Sequence, residues 1–276
     1  MVDKFLHKTL RLPYRLYVAY DRRVPSEKVT LVFWHGIGAT SKVWDWNKVI
    51  DIISNNSSFD QARLITFDLF GFGKSPAPDW SEFTVNDHLR ALHCTLRKLH
   101  IKTPIILVGH SMGSLLAVEY ATAYPKENIS ALALASPPFL QPSEGKIMFD
   151  RLYRKVYDKL LTATQIKQLD KMANFFETFT SFELDTAGQE SFRRSMQHVV
   201  LESHALSQIK KLRLPIYIFH GSLDFLVNGM NLKSLAKQKN IAIHTTPSGH
   251  DIVGLKRDEF IKVLAEIIQS KQKAQS

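Results

Sequence analysis

Ile105-Ile106-Leu107-Val108-Gly109-His110-Ser111-Met112-Gly113 joins a short apolar run rich in β-branched residues to a segment, Leu115 to Ala123, that reads as a helix. Gly-x-Ser-x-Gly between a strand and a helix marks a sharp turn that lifts a serine hydroxyl clear of the backbone. The turn forces Ser111 into strained geometry, and a glycine on either side leaves space where side chains would collide. Backbone dipoles at a helix N-terminus favour developing negative charge. Ser111 is therefore the candidate nucleophile.

A serine hydroxyl is a weak nucleophile and needs a base that is itself oriented by a carboxylate. In the usual setting of this motif the chain order is Ser, acid, His, with the last two on loops after late strands. The apolar run Pro215 to His220 is followed by Gly221-Ser222-Leu223-Asp224, and Ile241 to Thr245 by Pro247-Ser248-Gly249-His250. Asp224 and His250 thus fall at strand C-terminal ends, where open α/β sheets build their sites. His220 and His244 lie inside expected strands and read as packing or hydrogen-bonding residues. Asp251 adjoins His250 too closely to reach round to its ring and reads as a cap for the next turn. An oxyanion needs two aimed backbone N–H groups; Met112 supplies one and Ile37, within His35-Gly36-Ile37-Gly38 after the strand Val29 to Trp34, the other.

Further strands are expected at Arg15 to Tyr20, Ala62 to Phe67 and Ser130 to Ala135. Several runs are apolar almost throughout, as in parallel strands covered on both faces. Thr84 to His100 carries Leu89, Leu92, Leu96 and Leu99 on one helical stripe, with Thr84 and Asp87 spaced as a capping box. Strands alternating with helices make an α/β chain with a mostly parallel sheet flanked by helices. The first two strands leave no room for a crossover helix, so the sheet should begin with an antiparallel pair. From Phe139 to Leu206 the alternation stops. Met148 to Leu160, Ile166 to Phe179 and Phe192 to Val199 show helical spacing, and this reads as a helical insertion over 139–206, with 1–138 and 207–276 forming the core.

Together these motifs resemble the α/β-hydrolase superfamily over nearly the whole chain: His35-Gly36-Ile37-Gly38, Asp68-Leu69-Phe70-Gly71-Phe72-Gly73-Lys74-Ser75, Gly109 to Gly113, Gly221 to Asp224, and Gly249-His250. The resemblance implies the α/β-hydrolase fold, a cap formed by 139–206, and a structural role for the Asp68 to Ser75 loop. A dinucleotide cradle would instead need its glycines to open a helix, which Pro76 and Pro78 prevent. Many members carry a glycine where this chain has Ser114. The implied activity is that of a cofactor-free, metal-free serine hydrolase acting on a small-molecule carboxylic ester. A serine at 111 excludes the members with an aspartate nucleophile. Carbon-carbon bond hydrolases share the triad and cap, and aminopeptidases share the fold, although Ala39-Thr40 lacks their usual Gly-Pro pair. A ligand-binding member without activity is disfavoured by the complete triad. Aromatic residues at Phe149, Tyr153, Tyr157, Phe175, Phe176 and Phe179 would roof an apolar pocket for short to medium acyl groups.

Of 276 residues, 36 are Lys or Arg and 26 Asp or Glu, a net charge of +10. The excess is spread along the chain, without the basic patch interleaved with aromatics of a nucleic-acid binder. Apolar runs stop far short of the roughly 20 residues that span a bilayer. Met1 to Arg23 lacks the apolar core of a signal peptide. Cys94 is the single cysteine, so no internal disulfide forms, which suits the cytoplasm. His93 and Cys94 have no metal-ligand spacing. Oligomeric state has no sequence signal.

Overall fold

The computed structural model describes residues 2–140, 155 and 186–273. Seven strands, β1 (Val18–Arg22), β2 (Val29–Trp34), β3 (Ala62–Phe67), β4 (Ile105–His110), β5 (Ile129–Ala135), β6 (Ile216–Gly221) and β7 (Ile241–Thr246), form one sheet in the order β1-β3-β2-β4-β5-β6-β7. All neighbours are parallel except β1 and β3. Every residue of β2, β3 and β4 is buried, which is why these runs lack polar alternation.

The expected antiparallel start is present, but its partner differs. β1 pairs with β3 and not with β2, Asp21 standing opposite Ile65. Residues 23–28 step over the start of β3 to reach Val29, a span of two strand spacings, roughly 10 Å, well within their reach. The strand also starts later than Arg15. Tyr17 bonds through its N–H to the Ser75 hydroxyl (2.9 Å) and through its carbonyl to the Asp68 N–H (3.1 Å), so its backbone serves a loop and not the ladder.

Helices cover both faces. Val85–Lys98 and Met112–Ala123 pack on one side, while Val49–Ser54 and Arg257–Lys273 pack on the other. The Thr84 capping box forms as expected, its hydroxyl accepting from the Asp87 N–H while the Asp87 carboxylate accepts from the Thr84 N–H. Of the expected insertion helices, those over Met148 to Leu160 and Ile166 to Phe179 lie outside the described residues. The third comprises Thr186–Ser195 and a π-helical turn, Met196–Leu201, and it buries Phe192, Met196 and Val199. Glu119, buried, fastens the chain's return to the sheet by accepting from the Ser203 hydroxyl (3.2 Å) and the His204 N–H (3.0 Å).

Arg63, 2% exposed, makes a two-pronged contact with Asp21, both N···O distances being 2.8 Å. Burial alone would raise the Asp21 carboxyl, and Arg63 outweighs that and holds it below its ordinary range. Removing the carboxylate leaves a buried guanidinium without its charge partner. Asp21→Ala should therefore lower the unfolding free energy in a urea titration by about 3 kcal/mol.

His35 and His88 are fully buried, and burial pushes both rings down, His88 to about 3 with the His35 ring adding to the effect. Among the described residues His88 Nδ1 has no hydrogen-bond partner, while Nε2 meets the Ser195 hydroxyl at 3.2 Å. Both rings stay neutral in the folded chain at a pH where the unfolded chain binds protons on them. Stability is then full above about pH 6.5 and falls as pH drops towards 3, by about 2 kcal/mol for the His88 ring at pH 5. Urea midpoints at pH 7.5 and 5 should show the loss, and His88→Gln, which keeps a group for Ser195, should make it shallower.

Candidate active site

Ser111 joins β4 to the helix Met112–Ala123 with φ 51° and ψ −117°, a conformation that L side chains rarely adopt. Its neighbours compel the turn. A methyl group on Gly113 would come within 2.3 Å of the Trp34 carbonyl oxygen, and one on Gly109 within 2.5 Å of the Gly113 carbonyl oxygen. The Ser111 N–H donates to the Ala135 carbonyl at 2.9 Å. Ser114, in the position where many relatives have glycine, adds a hydroxyl shared between the carbonyls of Gly109 (2.8 Å) and Ala135 (3.1 Å). It staples the turn to β5, a larger role than the sequence suggested.

The ends of β6 and β7 bring the other two residues to the same edge of the sheet. Ser222 N–H donates to the Thr246 carbonyl at 2.8 Å and Leu223 N–H to the Ser248 carbonyl at 3.1 Å, so the two loops travel together. The Ser111 hydroxyl lies 3.0 Å from His250 Nε2, and His250 Nδ1 lies 2.8 Å from Asp224 Oδ2. A carboxylate only accepts, so Nδ1 carries the proton and Nε2 offers its lone pair to the hydroxyl. Asp224 Oδ1 accepts from the Leu226 N–H at 3.0 Å. Burial alone raises the Asp224 carboxyl; the charge and hydrogen bond of His250, then the Leu226 amide and the Ser136 hydroxyl, outweigh it and hold the group below its ordinary range.

Two side chains hold His250 that the sequence did not assign to it. The Ser136 hydroxyl and His110 Nε2–H both donate to the His250 carbonyl, at 2.9 and 3.2 Å. Burial and the neighbouring His250 ring push His110 down to about 4, so it remains neutral. Ser136 follows β5 at φ 47°. No periodicity reports a hydroxyl bonded to a carbonyl 114 residues away.

The Gly36 turn abuts the serine: a methyl there would lie 3.1 Å from His110 Nδ1 and 3.3 Å from Ser111 Cβ. Ile37 is buried, and its N–H makes no hydrogen bond among the described residues. Met112 opens its helix, so its N–H has no partner within the helix. His35 organises this turn, Nδ1–H donating to the Gly36 carbonyl (2.7 Å) and Nε2 accepting from the Leu69 N–H (2.8 Å). The Asp68 carboxylate accepts from Ser41 N–H (2.8 Å), Ser41 hydroxyl (2.7 Å) and Lys74 N–H (2.8 Å). A buried carboxylate filling the Gly71 to Gly73 loop repels phosphate, which agrees with the structural reading of that segment.

The residues set aside have other tasks. Asp251 caps Ile252–Leu255 by accepting from the Gly254 N–H at 3.1 Å. His220 bonds the Gly221 carbonyl and the Thr245 hydroxyl, each at 3.0 Å. His93 stacks on Tyr124 with ring centroids 4.0 Å apart.

Among known proteins, the chain is 30% identical over 136 residues to the probable lysophospholipase BODYGUARD 4 of Arabidopsis thaliana, a match covering 49% of this chain and 31% of that protein. The chain thus matches under a third of that relative's length. It is 26% identical over 212 residues to the 2-hydroxy-6-oxo-6-(2'-aminophenyl)hexa-2,4-dienoic acid hydrolase of Metapseudomonas resinovorans, covering 73% of this chain and 69% of the other. The solved esterase EaEST from Exiguobacterium antarcticum superposes with a TM-score of 0.73 at 19% identity, over 92% of this chain and 95% of that one, a likeness of fold. The profile of the α/β hydrolase fold family matches residues 29–255. That span runs from β2 to the helix after His250 and leaves only the edge strand β1 of the sheet outside it, and the chain belongs to the α/β-hydrolase family.

Proposed function

We propose that the chain is a serine hydrolase that cleaves carboxylic esters of small to medium apolar acyl groups through an acyl-enzyme. The observation that carries this reading is the relay from the Ser111 hydroxyl through the His250 ring to the Asp224 carboxylate, at 3.0 and 2.8 Å. As the serine oxygen attacks the acyl carbonyl, its proton passes to His250 Nε2. Asp224 holds the ring and stabilises the imidazolium that forms. In this reading the carbonyl oxygen gains charge beside the amides of Ile37 and Met112, two backbone donors left over from the fold's own hydrogen bonds among the described residues. His250 then protonates the leaving alcohol, and water enters by the same route to release the acid.

A relative that cleaves a dienoic acid favours a second reading, carbon-carbon bond hydrolysis by the same relay. Ester and carbon-carbon substrates differ in what leaves: an alcohol in one case, a carbon acid in the other. A panel of p-nitrophenyl esters from acetate to palmitate, run beside a dienol-ketone and an aminoacyl anilide, separates these from each other and from aminopeptidase action. Turnover should peak among the short to medium esters. Emulsified triolein cleaved faster than soluble butyrate would contradict the acyl preference.

Ser111→Ala should lower ester turnover by about three or more orders of magnitude with an unchanged circular dichroism spectrum, since triad members act as a unit. A fluorophosphonate should add covalently at Ser111, and labelling that persists in the variant removes the serine from its role.

Asp224→Asn turns the His250 tautomer the wrong way and should cost about 10⁴ in kcat. Asp251→Asn keeps a side-chain oxygen to accept from the Gly254 N–H, so it should leave stability nearly unchanged and kcat within severalfold. The opposite order of losses in kcat would move the acid to Asp251.

A further inference from the structure

Residues 2–17 precede β1, and β1 runs against the other strands, Val18 standing opposite Phe67 at the end of β3. The segment therefore lies at the edge of the sheet where β4, β6 and β7 deliver Ser111, Asp224 and His250. Two of its rings, His7 and Tyr14, pack towards the body of the protein. The Tyr14 hydroxyl donates to Asp3 at 2.7 Å, His7 Nδ1–H donates to the Leu12 carbonyl at 2.7 Å, and the Tyr14 ring stacks between His7 (3.7 Å) and Phe70 (5.3 Å). Leu16 is buried in the core and anchors the segment, while Val2, Phe5, Leu10 and Leu12 stand outward, 73, 54, 53 and 49% exposed.

Four large apolar side chains thus stand in solvent within sixteen residues. Lys4, Lys8, Arg11 and Arg15, all exposed, are interleaved with those apolar residues, and no carboxylate pairs with any of them among the described residues. Asp3, the one acid of the segment, is taken up by Tyr14. Apolar side chains flanked by unpaired cations suit the boundary of a lipid bilayer, where the former enter the acyl region and the latter meet anionic headgroups. A second copy of this chain is a poor occupant, because a two-fold contact would set the same four cations against each other. A nucleic acid would satisfy the cations and leave the exposed apolar groups in water.

We propose that residues 2–17 dock the chain onto an anionic lipid bilayer and turn the site-bearing edge of the sheet towards amphiphilic esters held there. The orientation towards esters rests on the hydrolase reading above; the docking does not.

Co-sedimentation with sucrose-loaded vesicles tests it, using the Ser111→Ala chain so that binding is read without turnover. The chain should pellet with phosphatidylcholine vesicles containing phosphatidylserine, much less with phosphatidylcholine alone, and less as salt is raised. Lys4→Gln and Lys8→Gln should weaken the partition by roughly fivefold each. Phe5→Ser with Leu10→Ser should weaken it by about tenfold or more. In the parent chain none of these changes should alter turnover of a soluble ester. Failure to pellet with anionic vesicles, or equal pelleting by the Phe5→Ser, Leu10→Ser chain, overturns the proposal. So does a lipid-free dimer in sedimentation velocity that this double variant dissociates. Pelleting as expected with no ester turned over supports the docking and removes the ester reading, which keeps the two failures apart.

Discussion

A serine with φ 51° between a strand and a helix stays there only because its surroundings forbid the relaxed alternative. Such a residue costs about 1–3 kcal/mol in backbone strain. Here the offset comes from close approach. Gly113 lets the helix backbone press on the Trp34 carbonyl, the Ser111 N–H reaches the Ala135 carbonyl, and the Ser114 hydroxyl bridges Gly109 and Ala135. β2, β4 and β5 must all be in register for these contacts to exist. The strained turn is thus a property of three strands, and its sequence motif supplies only the space.

The same edge carries the remaining groups for a topological reason. β2, β4, β5, β6 and β7 are parallel, so each ends on one side of the sheet, and loops leaving them converge without any long excursion. His250 is fixed at its ring by Asp224 and Ser111 and at its carbonyl by Ser136 and His110. Side-chain and backbone anchors together leave the imidazole little rotational freedom, which a relay working over 3.0 and 2.8 Å requires.

Much of this was legible in the chain itself. β2 and β3 begin and end at the residues expected, because runs buried on both faces have sharp polar boundaries. Thr84 and Asp87 announced a helix start through local chemistry that tertiary contacts do not override. The partner of β1 was not legible, since side-chain pattern reports which face is buried and says nothing of which neighbour supplies the hydrogen bonds. Ser136 escaped for a related reason: its importance lies in one hydroxyl's distance to a residue far along the chain. Ser114 was legible only as a departure from glycine, and its hydroxyl bonds two carbonyls, a function that its small size hides.

Among the described residues β7 is the last strand in chain order, at an edge of the sheet and paired with β6 alone. The Ser111 turn can close once β2, β4 and β5 have met, yet its imidazole arrives from a residue 139 positions later. During synthesis the serine turn can therefore stand assembled before the ring that faces its hydroxyl arrives behind β7. The bonds from Ser136 and His110 to the His250 carbonyl then act as the latch of that docking, joining the sheet's outermost strand to its centre. Fraying at this margin would separate hydroxyl from imidazole while the interior stayed folded, so the arrangement of Ser111, His250 and Asp224 is governed by the order of assembly as much as by its geometry.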